Sequence, residues 1–227
     1  MIPATVARRA AAEAVGTALL LAAVVGSGIM GERLAGGNVG LALLANTIAT
    51  GAALVALILT FGPISGAQFN PAVTLVDAWC GGRPWAEVPA YVAAQVLGAF
   101  AGVASAHLMF SAPLFFASRH ARAGSAQLFS EFVATFGLLA VIQGCARRRP
   151  ADVAYAVGAY ITAAYWFTAS TSFANPAVTL ARSASDTFAG IRPADAPGFI
   201  AAQLAGAAAA TLLCRWLLPP AASGERA

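Results

Sequence analysis

Lysine is absent and charge of either sign is thin: all thirteen basic residues are arginine, set against nine acids, and only 10% of the 227 residues are charged. That excludes a solvated surface of ordinary extent. With the arginines scattered, apart from Arg147-Arg148-Arg149, it also excludes a nucleic-acid footprint. Cysteine is scarce as well. Cys80, Cys145 and Cys214 form no CxxC or metal-ligand spacing, so they read as small packing residues in helices or at their ends, and the chain offers no metal site or cofactor motif. What it has in quantity is apolar sequence. At 59% hydrophobic, the chain is long enough for about six or seven membrane spans, and the net charge of +4 reads as orientation in a lipid bilayer.

The apolar runs are organised around a stretch that occurs twice. Ser65 to Leu75 (SGAQFNPAVTL) returns as Ser170 to Leu180 (STSFANPAVTL), with the serine and the run NPAVTL matched. Asn70-Pro71-Ala72 and Asn175-Pro176-Ala177 each read as a helix start: Asn caps free backbone N–H groups, Pro suits the first helical position, and apolar residues follow. Each helix so started has only about ten apolar residues, too few to cross a hydrocarbon core of ~30 Å at ~1.5 Å per residue. Two of them end to end just suffice.

In chain order, Arg8-Arg9 and the apolar run to about Ile29 resemble a secretory signal, but a counterpart recurs mid-chain at Gln127 to Gly144 with the same embedded acid, Glu13 matching Glu131. It is therefore a first transmembrane helix. A second runs from about Asn38 to Phe61, is broken at Gly62-Pro63, and leads into the first motif, whose half-helix ends near Cys80-Gly81-Gly82. A third span, about Val88 to Phe110, carries Gln95, Gly98 and Gly102, matched by Gln203, Gly206 and Ala210 in the last span, about Pro197 to Leu217. Such small residues let helices approach closely. Ser111 to Gly124, with Pro113, Arg119, His120 and Arg122, reads as a surface connection. Span four then ends at Arg147-Arg148-Arg149-Pro150, and span five runs from about Asp152 to Thr168.

The expected fold is an all-α membrane protein with six transmembrane helices plus two half-helices, one channel domain over residues 1–227. Repeat one covers about 8–110, a linker 111–124, and repeat two about 125–217. Three full spans per repeat is an odd number, so the second repeat enters the membrane upside down. The half-helices then come from opposite faces and point their N-termini, with partial positive charge and free N–H groups, at one another near the midplane. With both termini cytoplasmic in the cell (inner) membrane, Arg8, Arg9, Arg83, Arg147, Arg148, Arg149, Arg215 and Arg226 lie inside and Arg33, Arg119, Arg122, Arg182 and Arg192 outside, a modest bias of the right sign.

Irregular backbone at that depth is tolerated where it is buried or lines a wet cavity, which implies a pore. Gly66-Ala67-Gln68 and Thr171-Ser172-Phe173 would be extended there, their carbonyls a ladder of acceptors along one wall. Each motif Asn has an acceptor to cap its own helix and two donors to aim into the lumen. A neutral hydroxyl compound can then exchange water contacts for protein contacts.

At these residues the chain resembles the aquaporin (major intrinsic protein) family, across roughly residues 8 to 217, on the paired NPA motif with matched Glu and Gln. The resemblance implies a homotetramer with a passive pore in every protomer, and loop-bracing roles for Glu13 and Glu131. In aquaporin-type pores, dipoles meeting positive-end first disfavour a cation or hydronium at the same point. It also implies an outer selectivity filter of four positions, carried over by spacing from the motifs: Thr50, Ala163, Ser172 and Val178. There the chain departs from its family. Water-selective members place an aromatic, a His and an Arg in this ring, and glycerol-conducting members keep the Arg beside aromatics. With neither, the ring reads as wide and uncharged. Arg182, seven residues after Asn175, is within reach of the outer vestibule but reads sooner as a solvated loop-side residue, and Gln68 stands where the family often has His.

Other functions compete at this point. An ion-coupled secondary transporter also uses inverted repeats, but needs a charged coupling site, for which only Glu13 and Glu131 are available. An intramembrane serine hydrolase would use Ser65, yet that residue sits in G-P-I-S-G and neither His107 nor His120 has a route to it. The two histidines make no metal pair, and Tyr155, Tyr160, Tyr165 and Trp166 read as packing or interfacial, with Tyr165 and Trp166 near the level of the filter. A passive channel for small uncharged solutes accounts for the most residues: water, glycerol-like polyols, urea, and neutral metalloid hydroxides such as arsenous acid. Resemblance to bacterial channels with an Arg-free filter and a similar NPAVTLARS…DTFAGIRP segment adds the metalloid option.

Overall fold

The computed structural model describes residues 4–218, so Arg226 lies outside the described residues. Among these the chain forms eight α-helices and no strand: α1 (Val6–Leu34), α2 (Val39–Ser65), α3 (Pro71–Trp79), α4 (Val88–Met109), α5 (Ser125–Arg148), α6 (Val153–Phe167), α7 (Pro176–Arg182) and α8 (Ala196–Leu217). Helices α1, α2, α4, α5 and α8 are long and apolar enough to cross a membrane. The element expected as the fifth full span, α6, has 15 residues, ~22 Å at ~1.5 Å per residue, less than a ~30 Å core. It stops early because the chain turns extended at Thr168 to enter the second motif loop.

The break expected at Gly62-Pro63 does not occur there. α2 continues through Pro63 to Ser65 and ends at Gly66, left-handed with φ 90, whose N–H bonds the carbonyl of Gly62. A proline in the last turn removes one hydrogen bond near the frayed end, and the glycine supplies the backbone conformation that stops the helix.

Each half packs alike: α1 lies along α4 and α2, α5 along α8 and α6, and α2 against α6 joins the halves, while α3 touches α7. Backbones meet where side chains are smallest. A Cβ built on Gly98 would land on the carbonyl of Ala14, and one on Gly206 on the carbonyl of Phe132, the equivalent crossing of the second half. The N-termini of α3 and α7 lie in the molecular interior, where Asn70 and Asn175 are buried.

Candidate functional site

The two helix starts are built by the same local chemistry. Asn70 and Asn175 are extended, with φ −153 and −157, and each is followed by Pro at the first helical position. Asn70 Oδ1 accepts from the N–H of Ala72 at 2.9 Å, and Asn175 Oδ1 from Ala177 and Val178 at 3.0 and 3.3 Å. The side-chain amides then cross over: Asn70 Nδ2 donates to the carbonyl of Ala174 at 2.8 Å, and Asn175 Nδ2 to that of Phe69 at 2.7 Å. Each loop is thus tied to the other. The crossing corrects the expectation of two lumen donors per Asn, because one N–H is engaged and one is left. Pro71, Ala72, Pro176 and Ala177 build these starts without lining the cavity beside them.

Before each Asn the backbone alternates into the left-handed region, at Ala67 and Phe69 (φ 46 and 50) and at Ser172 and Ala174 (φ 50 and 47), with Gly66 and Thr171 leading in. For non-glycine residues this costs ~1–3 kcal/mol each and persists only where the surroundings impose it. Two buried acids impose it. Glu13 accepts from the N–H of Gln68 on one oxygen and of Phe69 on the other, at 3.0 and 2.6 Å, and also from Ser65 Oγ and Gln95 Nε2. Glu131 forks across Phe173 and Ala174, both at 2.9 Å, and accepts from Gln203 Nε2.

The loops border a cavity whose volume open to water centres is ≈ 110 Å³, several times the roughly 10–15 Å³ that one water occupies. Gly66, Ala67, Gln68 and Asn70 line it from the first loop, and Ser172, Phe173, Ala174 and Asn175 from the second. Thr171 lies off it and receives Arg122 Nη1 on its hydroxyl at 3.4 Å. Gln68 is itself held, donating to Asp77 at 2.7 Å and accepting from Thr74 at 2.8 Å. The facing wall is apolar and made of four-residue stripes: Leu54 and Ile58 on α2, and Val153, Val157 and Ile161 on α6.

That periodicity overturns one filter position. Thr50 and Tyr165 continue the stripes and meet at 3.3 Å, Tyr165 hydroxyl to Thr50 Oγ1. Ala163 does not line the cavity and is exposed. It stands two residues before Tyr165, about 200° around the helix at about 100° per residue, so on α6 it is the aromatic and not Ala163 that lines the cavity at this level. Ser172 and Val178 do line the cavity, with Thr50.

A second correction concerns charge. Arg182 is no solvated residue: it is 2% exposed, lines the cavity, sets its guanidinium 3.4 Å over the ring of Phe173, and bonds the carbonyl of Ala189 through Nε. Nor is the linker wholly a surface connection. Arg122 turns inward, is buried, and donates to the carbonyls of Gly190 and Ser170 at 2.8 and 3.1 Å. Asp195 anchors it from outside by accepting the Arg122 N–H at 2.9 Å, and the hydrogen-bonded Arg192 side chain holds that carboxyl below its usual value. Partial burial, then the Arg122 and Arg182 charges, lower the His120 imidazole nearby. His107 is engaged at 2.8 Å with both the carbonyl of Leu114 and Ser185 Oγ. Arg122 was missed because nothing local marks it. Arg182 carried a signal, standing one turn after Val178 on the same helix face.

The family described as "Major intrinsic protein" matches residues 3–152 of the chain. The chain is 59% identical over 214 residues to "Aquaglyceroporin AqpS" of Rhizobium meliloti (strain 1021), covering 94% of this chain and 91% of that protein. It is 41% identical over 140 residues to "Aquaporin NIP1-3" of Oryza sativa subsp. japonica, covering 59% of this chain and 49% of the relative. Among solved structures, the fold resembles the aquaglyceroporin from Plasmodium falciparum with a TM-score of 0.74 at 19% identity, over 95% of this chain and 98% of that one.

Proposed function

As a member of the major intrinsic protein family, to which the chain belongs, this protein is a passive membrane channel and not an enzyme, and we propose that its pore is the cavity between the two motif loops. The observation that carries the reading is the crossed asparagine pair. Two helix N-termini face one cavity, each capped by an Asn that keeps one amide N–H for a passing solute. Water and glycerol-like polyols fit a lumen with one acceptor-lined wall and one apolar wall. Urea and neutral metalloid hydroxides such as arsenous acid carry comparable polar edges.

Thr50, Tyr165, Ser172 and Val178 form the outer constriction in this reading. The chain is one channel domain of two inverted repeats, multi-pass in the inner membrane with both termini cytoplasmic, and it assembles as a homotetramer with one pore per protomer. Burial removes Arg122 and Arg182 from the five arginines counted outside and Arg83 from the eight counted inside, which leaves the inward bias of the flanking charge sharper. The competing transporter lacks a coupling group, since donors occupy both oxygens of Glu13 and of Glu131. Ser65 donates to Glu13, whose oxygens are already taken by two backbone N–H groups and Gln95, and not to a histidine, so the hydrolase has no serine–histidine pair.

Reconstituted into liposomes, the protein is expected to pass water and glycerol without saturation and without response to a pH or sodium gradient. Accumulation of solute against its own gradient would overturn the channel.

A further inference from the structure

Val178 and Arg182 lie four residues apart on α7 and both line the cavity. Side chains on a helix lean toward its N-terminus, so the long arm of Arg182, rooted one turn further out, reaches back toward the level of Val178. Its guanidinium ends against Phe173, a neighbour of Ser172 in the same constriction, and Arg122 approaches that ring from the linker, 5.0 Å from its centre. Two cations therefore converge where the residue three after the motif Asn, Val178, supplies none.

Neither charge has a contact ion pair among the described residues. Among the described residues neither arginine has a carboxylate oxygen within 4.0 Å, and their bonds go to carbonyls and one hydroxyl. Burying an unpaired guanidinium is costly, and a pore needing only an apolar wall at this level would be more stable without it. Polar capacity is also left unused. With Nε of Arg182 bonded to Ala189, its terminal nitrogens have no hydrogen-bond partner among the described residues, and Ser172 Oγ is buried in the cavity lining without one.

We propose that Arg182 is the specificity-determining cation of this pore, excluding cations at the outer constriction and, with Ser172 Oγ, donating to the hydroxyl groups of polyol-like solutes, while Arg122 positions the Phe173 loop beneath it. The proposal rests on the channel reading above. Arg182 is rooted one turn from the expected place, and the reach of its side chain makes up the difference.

The test uses full-length protein in proteoliposomes at equal amounts of folded channel, with stopped-flow water and glycerol uptake and Na+ flux under an imposed potential. Arg182→Gln is expected to raise Na+ permeability on the order of tenfold or more and to change the glycerol-to-water ratio. Arg182→Lys keeps the charge without the planar fork, so it should hold Na+ out while still shifting that ratio. Val178→Arg in the Arg182→Gln background should restore exclusion.

Should Arg182→Gln fail to fold, Val178→Arg in the otherwise native chain decides: with Arg182 already in place, a second guanidinium should shut off water and glycerol alike. Unchanged Na+ permeability and solute ratio in folded Arg182→Gln would overturn the proposal. So would a Val178→Arg channel that loses glycerol and keeps water, since that is how a wide, uncharged ring behaves. Wild-type protein passing neither solute above empty vesicles would sink the channel reading itself.

Discussion

Replacing Glu13 or Glu131 by Gln separates a brace from a proton carrier, and the geometry sets the size of the effect. Each carboxyl takes two consecutive backbone N–H groups, one per oxygen: Gln68 and Phe69 on Glu13, Phe173 and Ala174 on Glu131. A glutamine presents one oxygen and one NH2, so whichever way it turns, one backbone donor faces another donor. The side-chain partners can adapt. Gln95 and Gln203 each have a buried Oε1 without a partner, which an amide flip could present to the new NH2. The backbone cannot adapt. An orphaned buried donor costs ~1–3 kcal/mol, and the surviving bonds lose the strengthening that charge gives them. Each variant is therefore expected to lose ~2–4 kcal/mol, about the same in the two repeats, or ~5–15 °C in unfolding midpoint for a chain of this size. Thermal unfolding in detergent micelles measures it, with water flux per folded channel falling alongside as the left-handed loop residues relax. Aspartate, one methylene shorter, should not rescue either property. A Gln variant of native stability that nonetheless loses flux, or full rescue by Asp, would refute the bracing argument and return these acids to proton transfer.

Asn175→Asp sets a carboxylate against the Phe69 carbonyl that now accepts from the amide at 2.7 Å, so neutral-solute flux should fall and Na+ leak rise; an unchanged channel would mean that Asn175 does not meet the solute. Tyr165→Ala removes the aromatic opposite Thr50 and should raise glycerol flux relative to water. Ala163→Val, on the exposed side of the same helix, should leave both unchanged, and stopped-flow traces on paired liposome preparations compare them.

Much of the architecture was readable because it is encoded in short windows. Asn-Pro-Ala specifies a capped helix start wherever it falls, ten apolar residues cannot span a bilayer, and an eleven-residue duplication announces two equivalent elements. The matched acids followed from the same repeat. The phase of α6 was legible too, since Val153, Val157, Ile161 and Tyr165 recur every fourth residue, and the exposed Ala163 was assigned to the pore by a borrowed spacing that ignored this stripe.

Only the tertiary structure decided where the charge sits. The phase of α7 puts Arg182 on the face of Val178, but whether its long side chain ends in solvent or at the lumen depends on Phe173 and on the carbonyl of Ala189, which meet its guanidinium. The inward turn of Arg122 depends on Ser170, 48 residues away, and the crossed amides join residues 104 and 106 apart. Helix starts and span lengths are set by neighbours in the chain. The environment of a long cationic side chain is set by which distant carbonyls happen to surround its end, and that exists only once the helices have packed.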